Sequence, residues 1–92
     1  VVIPVGHEPN PAKRIRLTQA KRLIEMRHLR GITQQELADR IAAIPGFTCT
    51  KQAVCKWESG AASPRAHMQV AIAQVLDVPV SLIFGLDGEA VA

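Results

Sequence analysis

Thr50–Gly60 reads TKQAVCKWESG, with two lysines, a glutamine and a cysteine set among small and apolar residues around the chain's single tryptophan. At about 100° per residue on a helix, Thr50, Ala53, Val54 and Trp57 fall on one side. Lys51, Gln52, Cys55, Lys56 and Ser59 fall on the other, with Glu58 at the boundary. The apolar side demands a core beneath it. The polar side holds cations, an amide and a hydroxyl with no acid among them, which suits a solvated face and a polyanion-binding face equally. Thr50 is a candidate N-cap and Gly60 a candidate terminator.

The segments on either side have the same short helical grain. In TQQELADRI, residues 33–41, Thr33 and Glu36 form the S/T-x-x-E capping box, in which each satisfies an orphan backbone donor of the other. Leu37, Ala38 and Ile41, with Ile44, give that helix its inner face, and Pro45-Gly46 ends it. The helix before it is expected to start between residues 11 and 18, with Asn10-Pro11 as cap and first residue or Thr18 as a later cap. It runs to Arg30 and stops at Gly31, with Ala20, Leu23, Met26 and Leu29 or Arg30 inward and Lys21, Arg22, Glu25 and His28 outward. After the connector AAS, Ser63 is expected to cap a fourth helix with Pro64 at its first position. Ala66, Val70, Ala73 and Leu76 are its expected buried stripe, with Ile72 nearby. VSLIFG, after Pro79, reads as a last helical turn ending at Gly85.

Residues 1–10, with two prolines and a glycine, read as an irregular arm and residues 87–92 as a tail, leaving one domain over 11–86. No stretch alternates as a strand and none repeats. The expected class is all-α, a compact bundle of about five short helices. Bulk composition agrees: 48% hydrophobic residues, mostly aliphatic, and 3% aromatic favour small helices packed through Ala, Val, Ile and Leu. A 92-residue chain buries roughly 60–65% of its unfolded surface, enough for a single modest core.

Charge is unevenly placed. Residues 13–65 carry all 11 lysines and arginines against four acids, Glu25, Glu36, Asp39 and Glu58. Residues 66–92 carry three acids, Asp77, Asp87 and Glu89, and no Lys or Arg. A basic surplus confined to the first two-thirds is the footprint of a polyanion partner, and also of a basic solubility surface. No apolar run reaches the roughly 18 residues of a membrane span, and no basic-then-apolar leader opens the sequence, so a cytoplasmic protein is expected. Cys49 and Cys55 stand about 9 Å apart by helical rise, too far for a disulfide, and read as free thiols. Two cysteines and the scattered His7, His28 and His67 make no zinc-ligand spacing. No paired carboxylates, nucleophile–base pair or phosphate loop marks an enzyme, and no cofactor is expected.

A capped helix followed by one whose inner face is Val54 and Trp57 is what a helix-turn-helix requires, the second helix presenting its first residues to the DNA major groove. The pattern GITQQELADRI … KQAVCKWESG … SPRAHMQVAIAQVLDVPVSLIFG resembles the phage repressor/Cro type of helix-turn-helix domain over residues 16–86. The resemblance implies that Gln34 donates to a DNA phosphate and that Lys51 and Gln52, following Thr50 at the helix start, are the main base readers. It places Cys55 and Lys56 further along the same face, on bases or backbone, Ser59 on a phosphate, and Arg65 near the minor groove. Arg27 and Glu58 match positions that form a buried ion pair in some relatives. Trp57, sharing a face with Val54, is assigned to the core. Cys55 is open to two readings, a small apolar contact for a thymine methyl or a redox-sensitive thiol between Lys51 and Lys56. One departure stands out: IPGFTC, Ile44–Cys49, is longer than the usual three- or four-residue turn, with Phe47 expected to anchor it.

The function this implies is a sequence-specific DNA-binding regulator, a repressor of prokaryotic or phage type, acting as a homodimer on an operator of double-stranded DNA. A second reading is an antitoxin or anti-repressor whose main partner is a protein. VSLIF is either a dimer surface or the closure of the core.

Overall fold

The structure, a computed structural model, describes residues 11–85, and all of its regular elements are helices. They are α1 (Pro11–Leu29), α2 (Gln34–Ala42), α3 (Lys51–Ser59), α4 (Ala66–Leu76) and α5 (Val80–Phe84). The all-α, five-helix expectation holds. The expected arm, the Asn10 cap and the tail lie outside the described residues. No helix among those residues is long and apolar enough to cross a membrane.

Three helices end by the same device. Gly31, Gly60 and Asp77 adopt positive φ (70°, 81° and 58°) after α1, α3 and α4. The following residue then donates back to the carbonyl five positions earlier: Ile32 to Arg27 at 3.3 Å, Ala61 to Lys56 at 3.0 Å and Val78 to Ala73 at 3.0 Å. These are Schellman closures, which satisfy carbonyls the helix itself leaves unpaired. Glycine adopts this backbone without strain, and Asp is one of the few other residues that tolerates it. Helix starts are equally local. Pro11, with no N–H to satisfy, opens α1, so Thr18 is not a cap and its Oγ1 donates instead to Arg14 O at 3.1 Å. The capping box of α2 is complete: Glu36 N–H donates to Thr33 Oγ1 at 3.0 Å and Thr33 N–H to Glu36 Oε1 at 2.7 Å.

The core joins Leu23 of α1, Ile32 of the α1–α2 connection, Leu37, Ala38 and Ile41 of α2, Val54 and Trp57 of α3, Ala71, Ile72 and Leu76 of α4, and Ile83 of α5. The long connection between α2 and α3 is tied to it. Phe47 N–H donates to Ile44 O at 3.0 Å across Pro45-Gly46, with Gly46 at φ 87°, the geometry of a type II turn with proline and glycine in their preferred places. Ile44, Phe47 and Cys49 pack against the core, and the Phe47 ring lies 5.7 Å from that of His67.

Three expectations are corrected. Ser63 and Pro64 do not open α4, whose N-cap is Arg65, in extended conformation with no side-chain cap. Pro64 is buried, so the connector is drawn inward before the helix begins, and its carbonyl accepts from Gln69 Nε2 at 3.2 Å. The buried arc of α4 is Ala71, Ile72, Ala73 and Leu76, while Ala66 is exposed and Val70 is 54% exposed. Packing from α2 and from α5 covers α4 on two sides, which widens the arc and turns it away from the single stripe that spacing implied. At the end of α1 neither Leu29 nor Arg30 turns inward as expected: both are exposed, and Arg27 is the buried residue of that turn. Leu29 is 71% exposed, whereas the Arg30 guanidinium reaches the end of α4, donating to Leu76 O at 2.7 Å and Asp77 O at 3.1 Å. In α5 Ile83 closes the core and Leu82 faces outward.

Candidate nucleic-acid interface

α3 is fixed by its termini and by its inner side. Thr50 Oγ1 accepts from Ala53 N–H at 3.2 Å at one end, and Gly60 closes the other. Val54 is fully buried and Trp57 is 9% exposed, so both belong to the core. With those residues inward, Thr50, Lys51, Gln52, Lys56 and Ser59 are exposed. Glu58, the only acid on α3, is turned away from them and spent on α1. The outward side of α3 is therefore cationic and amide-bearing, with its first turn uncovered, the arrangement that admits a helix to the major groove.

Arg27 and Glu58 meet. Arg27 Nε donates to Glu58 Oε2 at 2.6 Å and Nη2 to Oε1 at 3.0 Å, a two-point contact, while Nη1 donates to Ile32 O at 2.9 Å. Both side chains are at least nine-tenths buried, which makes the pair a rigid brace between α1 and α3. Gln34, at the start of α2, joins the same cluster, its Nε2 donating to Glu58 Oε1 at 2.9 Å. Cys55, half-buried at the edge of the outward face, donates through Sγ to Gln34 Oε1 at 3.1 Å. Cys55 thus stands inward of Lys51 and Lys56, bonded across to α2. His28 is exposed on α1, with its ring Nε2 3.3 Å from Arg27 Nη2.

The far end of α3 is held as well. Ser59 Oγ donates to Lys56 O at 3.1 Å and accepts from Ala61 N–H at 3.4 Å. Arg16 Nε donates to Gly60 O at 3.2 Å, and Leu17 packs under Gly60. Arg65, at the α4 N-cap, is exposed beside the groove lined by Trp57, Ser63, Pro64, His67 and Met68. Neither the role of Arg16 nor the engagement of Gln34 by Cys55 is visible in the sequence, because the partners lie 44 and 21 residues apart with no motif joining them. Both cysteines are free. Burial pushes the Cys49 thiol above its ordinary range, with a smaller opposing effect from its backbone contact at Thr50.

No curated protein and no solved structure matched the chain. A family model described as helix-turn-helix matches residues 23–83, more than half of the chain, from the second half of α1 into α5. The match takes in the capped α2, the outward-facing α3 and the Arg27–Glu58 brace. The chain belongs to the helix-turn-helix family of DNA-binding domains, of the phage repressor and Cro type.

Proposed function

We propose that this protein is a sequence-specific transcriptional regulator, a repressor of prokaryotic or phage type. It works in the cytoplasm as a homodimer on a near-palindromic operator. The observation that carries the reading is the outward side of α3, where Lys51, Gln52, Lys56 and Ser59 are exposed while Val54 and Trp57 lock the opposite side into the core. Gln52 suits bidentate pairing with adenine, and Lys51 suits the acceptors of guanine. Gln34, Lys56, Ser59 and Arg65 serve the phosphates and the neighbouring minor groove, giving affinity without sequence information. The action is binding alone: occupancy of an operator excludes or recruits polymerase. Dimerisation has support in apolar residues left outward on α4 and α5, Val70 at 54% and Leu82 at 46% exposure.

Selection of bound sequences from random duplexes tests this directly. The expected result is a recovered pair of half-sites in inverted orientation, their centres one helical turn, about 34 Å, or a multiple of it apart. Recovery of unenriched sequence would remove the regulator reading.

A further inference from the structure

We propose that Cys55 is a positioning residue for DNA binding: its thiol holds the Gln34 amide in the one orientation that offers an N–H to a DNA phosphate. The proposal rests on the DNA-binding reading above. The hold on Gln34 starts two helices away from Cys55, at Arg27. Its guanidinium, which has only N–H donors, engages both oxygens of Glu58, at 2.6 and 3.0 Å, so that both oxygens serve as acceptors. The end of the Gln34 side chain that faces Glu58 at 2.9 Å must then be the NH₂ group. That choice fixes the amide's orientation and puts the amide oxygen at Cys55, 3.1 Å from Sγ. An amide oxygen also only accepts, so the thiol must be the donor.

The two contacts do different things. The bond to Glu58 decides which end of the amide points inward, but a single hydrogen bond leaves the amide free to swing about its axis. The bond from Cys55 fixes the plane. With both made, the direction of the second N–H on Nε2 is set before any partner arrives, on a residue that is half-buried and so partly open to solvent. It sits in the first turn of α2, where the helix dipole also favours an anion. Cys55 has accordingly spent its proton inside the protein, on a residue from another helix. It does not read a base; it acts through Gln34, and preorganisation of that donor is its contribution to affinity.

The test uses the full chain and a duplex recovered by selection. Cys55→Ala is expected to weaken binding about 3- to 10-fold, the range of one lost hydrogen bond. Cys55→Ser, whose hydroxyl also donates, is expected to restore most of it. Gln34→Ala is expected to lose at least as much as Cys55→Ala, and the double variant no more than Gln34→Ala alone, because both act through one contact. The loss from Cys55→Ala should persist when each base pair of the site is substituted in turn. It should disappear on duplexes carrying a neutral methylphosphonate at the phosphate that Gln34 meets. Thermal melting of each free variant shows that it is folded, and Cys55→Ser gives a second route if Cys55→Ala is not. Additive losses in the double variant, wild-type binding by Cys55→Ala, or a loss confined to one base identity each overturn the proposal and leave the regulator reading standing. A wild-type chain that selects no duplex overturns both.

Discussion

A methyl group on Gly60 would lie 2.6 Å from Leu17 Cδ2, on a backbone at φ 81°. The left-handed conformation alone costs an L-residue about 1–2 kcal/mol, and Leu17 would have to move as well. Gly60→Ala is therefore expected to lower the unfolding free energy read from a urea titration by that amount or more, and to disturb Arg16, which donates to the Gly60 carbonyl. Trp57, at 9% exposure and sharing the core with Val54, is a packing residue; Trp57→Ala is expected to cost about 3–5 kcal/mol of folding stability. A mutant that melts like the parent and fails only with DNA would place Trp57 on the wrong side of α3. Gln52 is the opposite case, exposed and clear of the core. Gln52→Ala is expected to leave folding unchanged and to cost about 1–3 kcal/mol on the selected site with little change on random DNA. Equal losses on both would dismiss it as a base reader.

Among the elements, α2 carries a titratable start. The backbone hydrogen bond from Thr33 holds the Glu36 carboxyl below its ordinary value of 4.5. A carboxyl depressed in the folded state contributes stability above its unfolded value and loses it as pH falls through the lower, folded one. The first turn of α2 is thus expected to fray in acid, from about pH 5 downward, and Glu36→Gln to lose most of that dependence. The Thr33 amide resonance, followed through an acid titration, reports it; an amide that does not move would leave the capping box without this role. The brace between α1 and α3 answers to a different rule. Arg27→Met leaves the Glu58 carboxylate buried without a countercharge, held by the Gln34 amide alone, expected to cost about 3–5 kcal/mol. Replacing both partners by apolar residues is expected to cost much less, and chemical denaturation of the two variants separates the cases. A single variant no less stable than the double one would show that the carboxylate finds another partner.

Over the whole molecule the charge pattern sets the behaviour with DNA. The basic surplus lies in residues 13–65, and binding is expected to weaken with added salt along a log–log slope of several units. A flat response would instead favour a protein partner. The sequence alone determined what short-range chemistry controls. The capping box at Thr33 and Glu36, the left-handed glycines at 31 and 60, the Pro45-Gly46 turn and the period of α3 each depend on residues a few positions apart, and each could be read before any coordinate was known. The extra length of the α2–α3 connection was legible too, and so was the anchoring of Phe47. The structure alone decided how the helices lie against one another. The arc that α4 buries, the inward pull of Pro64, the reach of Arg30 to the end of α4 and the hold of Cys55 on Gln34 follow from that placement. Helical spacing says which residues share a side of one helix. Which side is covered, and by what, is settled only when a second helix packs against it, since burial belongs to the pair of surfaces and not to either sequence.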